Sequence, residues 1–338
     1  MRILVTGGAG FIGSAYIRHL LKNRPEDQVV NFDKLTYAGN LENLRDVEND
    51  PRYRFVKGDI CVTNDLLPAL DGVDAVVHFA AESHVDRSVL DPHAFFLNNV
   101  LGTQVLLEAC RRAEVKRFHH VSTDEVYGDL GLEEDRAFNE GDMLNPRSAY
   151  AASKAGSDHV VGCYAHSFGM DVTISRCCNN YGPHQFPEKL IPLFATNAME
   201  DKPLPLFRSS RNTREWIHAD DHSAAVDLIL RKGRFGEIYN IGTGVEKSIE
   251  DITDIILSTL GKPESLKTYV PDRPGHDRRY FIDSSKIRSE LGWEASVPFE
   301  DGIQQTILWY RDNPEWWRRV KSGEYQRHYD AFYKETLK

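Results

Sequence analysis

The sequence predicts an α/β protein: a doubly wound parallel sheet with a smaller C-terminal α/β domain after it. Three observations predict this. Short apolar runs alternate with helix-periodic segments through the first half of the chain, the pattern of βαβ units whose sheet is covered on both faces. The first apolar run ends in a cluster of glycines. Near residue 180 the texture changes, with Pro183, Pro187, Pro192, Pro203 and Pro205 in close succession. A length of 338 residues fits two domains or one large one, at roughly 100–200 residues per domain. The expected division is 1–180 and 181–338, with segments interleaved between the two.

The elements follow in order. Arg2–Thr6 is short and apolar, a buried strand. Residues 12–22 carry Ile12, Tyr16, Ile17, Leu20 and Leu21 at helical spacing. Residues 29–32 form the next strand, ending at Asp33; residues 54–57 form the third, ending in Gly58-Asp59; residues 75–79 form the fourth. Val100, Leu101, Val105, Leu106 and Ala109 mark a helix over 100–110. A strand over 117–122 precedes a long helix over Ala149–Phe168, and a strand over 172–176 follows it. Further on, the pattern predicts a helix over 220–231, a strand over Ile238–Ile241 and a helix over Ile249–Leu260. This later part is expected to cap the sheet edge at which ligands bind in such folds.

Composition narrows the function classes. Hydrophobic residues make up 41% of the chain, ordinary for a globular protein with a sizeable core. The formal net charge of -10 argues against non-specific nucleic-acid binding, and leaves room for a local basic pocket. No apolar run approaches the roughly 20 residues that span a bilayer. The apolar stretch at the N-terminus is too short for a signal peptide, so a cytoplasmic protein without membrane contact is expected. Cys61, Cys110, Cys163, Cys177 and Cys178 have neither zinc-ligand spacing nor the count of a disulfide framework. They read as buried reduced thiols, and no metal is expected.

The glycine cluster carries the first chemistry. Gly7-Gly8-Ala9-Gly10-Phe11-Ile12-Gly13 satisfies Gly-x-Gly-x-x-Gly from Gly8 and Gly-x-x-Gly-x-x-Gly from Gly7. Between a strand and a helix, such glycines make a tight turn and let backbone approach a pyrophosphate, which sits on the helix N-terminus. Asp33 follows about 20 residues on, where an acid accepts hydrogen bonds from ribose hydroxyls and repels a 2′-phosphate. The pattern is that of a Rossmann site for NAD rather than NADP. Asp59 closes the third strand and either reaches the adenine or caps a helix. Phe79-Ala80-Ala81 ends the fourth strand with small residues that let a cofactor pass.

Tyr150 and Lys154 stand four apart in Tyr150-Ala151-Ala152-Ser153-Lys154, on one face of a helix. A tyrosine ionises near 10, and a nearby ammonium favours its phenolate. Tyr150 is then placed to take a proton from a substrate hydroxyl as hydride leaves the same carbon. Ser122 or Thr123 is placed to hold that oxygen. The fingerprint, the Ala80-Ala81 segment and the Tyr150/Lys154 pair together resemble the extended short-chain dehydrogenases/reductases. That resemblance implies a Rossmann sheet with a C-terminal domain for nucleotide sugars.

Ser122-Thr123-Asp124-Glu125-Val126-Tyr127-Gly128 narrows the reaction. It puts two adjacent carboxylates at the C-terminal end of a sheet strand, where ligands bind. Along a regular strand they would face opposite ways; at a turn both can approach a substrate. Carboxyls in unlike environments can divide acid and base roles. The segment resembles the signature of the dTDP-glucose 4,6-dehydratases, where related epimerases usually carry small or hydroxyl residues in place of the acids. The segments 33–40, 81–88, 179–183, 186–192 and 272–280 resemble the same family.

The resemblance implies a redox-neutral reaction on dTDP-glucose. Tyr150 deprotonates the C4 hydroxyl and NAD takes the C4 hydride. Glu125 removes the C5 proton, Asp124 protonates the departing C6 hydroxyl, and hydride returns to C6. It also implies the binding residues. The cofactor is expected on Gly7, Gly10, Phe11, Ile12, Gly13, Asp33, Lys34, Leu35, Asp59 and Ile60. Further contacts are expected from Phe79, Ala80, Ala81, Ser83, Asn98, Ser122, Tyr150, Lys154 and Asn180. Thr123 resembles the sugar O4 contact. Ser83, Asn179, Glu188 and Lys189 resemble sugar-binding positions, and Arg214, Asn240, Arg273 and His276 diphosphate and nucleotide contacts; Leu190, Pro205 and Phe207 are also expected in the substrate site. The helices near 100–110 and 150–168 form a homodimer interface in that family. Cys178, Arg214-Glu215-Trp216-Ile217-His218 and Ser209-Ser210 depart from its common pattern, and the stretch from Gly128 to Pro146 is short. Short forms resemble deoxysugar enzymes of antibiotic biosynthesis more than those of a rhamnose pathway.

Overall fold

The computed structural model describes residues 1–208, 211–271 and 277–321. The strands are β1 (Arg2–Thr6), β2 (Gln28–Asp33), β3 (Tyr53–Lys57), β4 (Ala75–His78), β5 (Arg117–Thr123), β6 (Val172–Cys177) and β7 (Asn179–Tyr181). They continue as β8 (Leu204–Phe207), β9 (Thr213–His218), β10 (Ile238–Ile241), β11 (Glu246–Ser248), β12 (Lys267–Val270) and β13 (Arg279–Tyr280). Seven of them form one parallel sheet in the order β10-β6-β5-β4-β1-β2-β3. Its edge strand β10 thus comes from beyond residue 180.

Apart from the edge strand β3, which is partly exposed, the sheet is buried on both faces, which is why its strands read as apolar runs rather than alternating ones. In β1, Ile3 and Val5 join the core under the helices Phe11–Asn23 and Ala219–Lys232, while Leu4 faces the core under Thr103–Arg112 and Ala149–Phe168. β1 lies between β2 and β4, so chain order reverses there. In an open α/β sheet the loops leaving such a pair of strands diverge, and the crevice between them takes ligands.

Two local departures from the sequence reading matter. The helix expected over 100–110 is two pieces, a π-helical turn Phe96–Gly102 running into the α-helix Thr103–Arg112. A π turn adds a residue to the helical repeat, and such turns gather at functional sites. Here Asn98 lines a cavity, while Asn99 is buried, with Nδ2 donating to Glu82 O at 2.9 Å and to Ser153 Oγ at 2.8 Å. The second departure is Asp124–Tyr127, a 3-10 turn directly after β5.

Outside the large sheet, β9 pairs with β11, β13 and β7, and β8 pairs with β12. The helices Leu190–Met199, Ile249–Leu260 and Phe299–Asp312 cover these strands around Ile191, Phe194, Ile252, Ile256 and Ile303. Pro192 sits in the first turn of its helix, where an N–H would lack an intrahelical acceptor in any case. No helix among the described residues is long and apolar enough to cross a membrane.

Candidate active site

A cavity of about 300 Å³ opens at the reversal of strand order. Its floor is the glycine turn. Gly7 has φ +70, and a Cβ there would stand 2.7 Å from Ala80 N. A Cβ on Gly13 would stand 2.3 Å from Gly7 O. Only glycine fits both places, one for backbone conformation and one for close approach. Gly10 caps the first helix without a side-chain hydrogen bond, and no acid occupies the first turn. The positive end of that helix therefore meets the cavity through Phe11, Ile12 and Gly13, a setting for a pyrophosphate.

Asp33 stands at the end of β2 on the cavity wall. Oδ2 accepts from Ala9 N at 3.0 Å and Oδ1 from Leu35 N at 2.8 Å. These bonds fix the carboxylate on the wall, and Leu35 stands at φ 58, outside the cavity lining. Burial raises the Asp33 pKa and both backbone bonds oppose the rise. Next to it, Lys34 Nζ pairs with Asp59 Oδ2 at 2.7 Å. Ile60, Phe79, Ala80, Ala81, Ser83 and Asn98 continue the wall. The glycine cradle and the anchored acid fit an NAD-type dinucleotide without a 2′-phosphate.

At the far end stand Ser122, Thr123, Asp124, Glu125, Tyr150 and Lys154. Thr123 ends β5 and caps the 3-10 turn, its Oγ1 accepting from Glu125 N at 3.3 Å. Asp124 is 3% exposed. Its Oδ1 accepts from Thr123 Oγ1 at 3.2 Å, and its buried Oδ2 has no hydrogen-bond partner among the described residues. Burial raises its pKa well above the ordinary value, helped by the Glu125 and Glu215 carboxylates. Burial and these neighbours favour the protonated form of Asp124, while Glu125 is partly exposed beside it.

Tyr150 lines the same wall. Burial holds its phenol well above the ordinary value, Glu125 and Cys177 add to this, and the Thr123 hydroxyl opposes it. Lys154 Nζ donates to Val121 O at 2.8 Å and contacts His120 Nε2 at 3.3 Å. Burial brings this ammonium down to about 8. His120 stays neutral, because burial and the Lys154 charge push its pKa well below the ordinary value.

The wall then turns through Asn179, Asn180, Glu188 and Lys189. Asn180 Nδ2 donates to Cys178 O at 3.1 Å. Glu188 Oε1 accepts from Tyr37 O–H and Oε2 from Arg87 Nε, both at 3.1 Å. The Arg87 guanidinium lies over the Tyr37 ring, 3.5 Å from its centroid. Lys189 Nζ donates to Ser83 O at 2.8 Å. Tyr37 and Arg87 had no role in the sequence reading, although both lie inside its family-like segments, and Cys177 and Gln185 also line the cavity unanticipated.

The remaining expected residues lie elsewhere. Leu190 starts the helix behind Lys189. Pro205 and Phe207 are on β8, and Arg214 is on β9, its guanidinium donating to Thr213 O, Arg278 O and Asp277 O. Asn240 is fully buried, bonded to Tyr127 O–H at 2.8 Å and Phe138 O at 3.0 Å. None of these five lines the cavity. Arg273 and His276 lie outside the described residues.

The reversed strand order, the glycine turn, Asp33 and the Tyr150/Lys154 helix define a Rossmann protein of the extended short-chain dehydrogenase/reductase class. Residues 4–306 match the family model described as GDP-mannose 4,6 dehydratase, and the chain belongs to that family, among the dTDP-glucose 4,6-dehydratases. The dTDP-glucose 4,6-dehydratase of an Actinoplanes species is 49% identical, over 94% of this chain and 100% of its own. That of Salmonella typhimurium is 47% identical, over 96% and 97%. The dTDP-glucose 4,6-dehydratase of Streptomyces venezuelae, solved with NAD bound, superposes with a TM-score of 0.93 at 52% identity, covering 95% of this chain and all of that one. A UDP-glucose 4-epimerase of Thermus thermophilus shares the fold at 31% identity, with a TM-score of 0.85 over 93% of this chain and 100% of its own.

Proposed function

We propose that this protein is an NAD-dependent hydro-lyase that converts dTDP-glucose to dTDP-4-keto-6-deoxyglucose and water. The observation that carries the reading is the unlike pair on the cavity wall, a buried Asp124 beside a partly exposed Glu125, within the same site as Tyr150. An epimerase moves hydride off and back onto C4, so it has no task for two acids.

The residues divide the work as follows. Gly7, Gly10, Gly13 and Asp33 hold the dinucleotide, which when bound supplies the acceptor and donor of hydride. Tyr150 takes the C4 hydroxyl proton. The positive charge of Lys154 and of the oxidised nicotinamide opposes the burial that keeps the phenol neutral. The C4 ketone acidifies C5, and Glu125 removes that proton. Asp124, whose protonated form burial and Glu125 favour, gives a proton to the leaving C6 hydroxyl. Each such transfer by a positioned group is worth roughly 10²–10⁴ in rate. The Glu188 carboxylate, fixed by Tyr37 and Arg87, and Lys189 face the sugar.

The segments after residue 180 that lie outside the large sheet form the nucleotide-sugar-binding part in this reading, and the pathway is deoxysugar synthesis of the antibiotic type. A homodimer fits the exposed apolar residues Val89, Leu90, Phe96, Leu97 and Leu101, whose burial a second copy of the same helices would complete. Mass spectrometry of dTDP-glucose incubated with the purified protein tests the reaction. Loss of one water is expected without added cofactor. Unchanged substrate, even with NAD supplied, would move the reading to an epimerase or a non-catalytic dinucleotide sensor.

A further inference from the structure

The glycine turn is held from a distance. Ala9, between Gly8 and Gly10, has both of its polar backbone groups engaged. Its N–H donates to Asp33 Oδ2 at 3.0 Å. Its carbonyl accepts from Asn40 N at 2.9 Å and from Asn43 Nδ2 at 3.0 Å. A peptide unit is planar, so fixing that oxygen fixes the whole unit between Ala9 and Gly10. The helix N-terminus that Phe11, Ile12 and Gly13 present to the cavity begins at that unit.

Asn43 lies outside the cavity, buried in a 3-10 turn over Leu41–Leu44. Its backbone carbonyl accepts from Arg18 Nη1, and its side chain faces two ways. Nδ2 holds Ala9, while Oδ1 accepts from Trp316 Nε1 at 3.2 Å. Trp316 stands 273 residues further along the chain, in the helix Pro314–Val320, with its ring edge-on to His184 and Trp309. The same helix grips the 3-10 turn a second time, through Arg319 Nε, which donates to Glu42 Oε1 at 3.1 Å. A buried indole N–H calls for an acceptor. A carboxamide both accepts and donates, so Asn43 takes the indole proton and still holds Ala9.

We propose that the helix Pro314–Val320 is a latch on the dinucleotide cradle, in which Trp316, acting through Asn43, holds the Ala9 carbonyl and slows the release of NAD. Both are positioning residues, since neither lines the cavity. The inference rests on the reading of the glycine turn as the NAD site. It also suits the proposed reaction, which returns its hydride to the substrate. Such an enzyme has no need to exchange its dinucleotide between turnovers, so slow release does not limit it.

The test is an isotope chase on the full chain. The protein is loaded with radiolabelled NAD, and loss of label is followed after addition of excess unlabelled NAD. Trp316→Phe keeps an aromatic ring and removes the N–H. Release should become roughly twofold to tenfold faster, the worth of one buried hydrogen bond. Asn43→Asp leaves Trp316 an acceptor but turns a carboxylate oxygen toward the Ala9 carbonyl, and should speed release further. Because Trp316 acts through Asn43, the double variant should release NAD no faster than Asn43→Asp alone. Trp317→Phe is the matched control, since its Nε1 donates from the same helix to Tyr310 O at 2.9 Å, away from the cradle. It should lower Tm as Trp316→Phe does and leave release at the wild-type rate. Wild-type release in Trp316→Phe, or equal acceleration in Trp316→Phe and Trp317→Phe, would overturn the latch. That comparison decides the matter even where Asn43→Asp fails to fold. A wild type that takes up no label would instead sink the NAD reading of the glycine turn, before any variant is compared.

Discussion

Replacing Glu125 by Gln separates the two halves of the proposed reaction, and the structure gives both halves a direction. The carboxylate is the base for C5, so its loss should slow water loss by roughly 10²–10⁴. It is also the charged group that most opposes ionisation of Tyr150, and it raises Asp124 and Tyr280 as well. The amide keeps the shape and removes the charge, so the phenol moves back toward its ordinary value. Each unit it falls multiplies the phenolate fraction about tenfold, or about 1.4 kcal/mol. C4 oxidation should therefore survive in Glu125→Gln and shift to lower pH. The assay is rapid mixing of the NAD-loaded variant with dTDP-glucose. The near-ultraviolet absorbance of reduced nicotinamide should rise and persist, while mass spectrometry finds no water lost. Wild-type turnover in this variant, or no reduced nicotinamide from a variant that retains its cofactor, would refute the assignment.

Three further outcomes follow from charges at and around the site. Burial lowers Lys154 to about 8, so its positive charge disappears as pH rises through that value and kcat/KM should fall on the alkaline side. Lys154→Arg keeps the charge and should carry that limb upward; a limb that stays in place assigns it to another group. Asp59→Asn frees Lys34, now paired at 2.7 Å and half-exposed, to meet a 2′-phosphate. The preference for NAD over NADP in a fluorescence titration should drop several-fold, in keeping with roughly 0.2–1 kcal/mol for an exposed pair, and Lys34→Ala in the same background should restore it. Burial raises the Glu215 pKa to about 7 against bonds from Gly244, Ile282 and Thr243 N–H. A carboxyl raised in the folded state lends stability below its unfolded value of about 4.3, which is lost as pH rises through about 7. Across that window the stability of the wild type relative to Glu215→Gln should fall by roughly 3 kcal/mol in urea melts. A difference that stays constant with pH would place the titration elsewhere.

Much of this was legible in the sequence, and what was not has physical causes. Strands β1, β2, β4, β5 and β6 are buried on both faces and so appear as apolar runs, and Gly7 to Gly13 followed by Asp33 declare a dinucleotide because Gly7 and Gly13 admit no side chain. The strands β7, β11 and β13 are two or three residues long, too short for any periodicity. The π turn hides because its residues continue an apolar helical pattern, and one shifted hydrogen bond leaves no mark in composition. Tyr37, Arg87 and Glu188 meet only through tertiary structure. Sequence spacing brings Tyr150 and Lys154 to one helix face, but does not tell that the ammonium donates to Val121 O. The clearest case is the acid pair. Asp124 and Glu125 are neighbours of the same chemical type, and nothing in their order says which keeps its proton. A 3-10 turn rotates each residue by about 120° from the last, so the turn after β5 sends one carboxyl into the interior and leaves the next half in solvent. In the proposed reaction the division of acid from base therefore arises in that single turn, capped by Thr123, and a substitution that unwound it would merge the two proposed roles while leaving every side chain present.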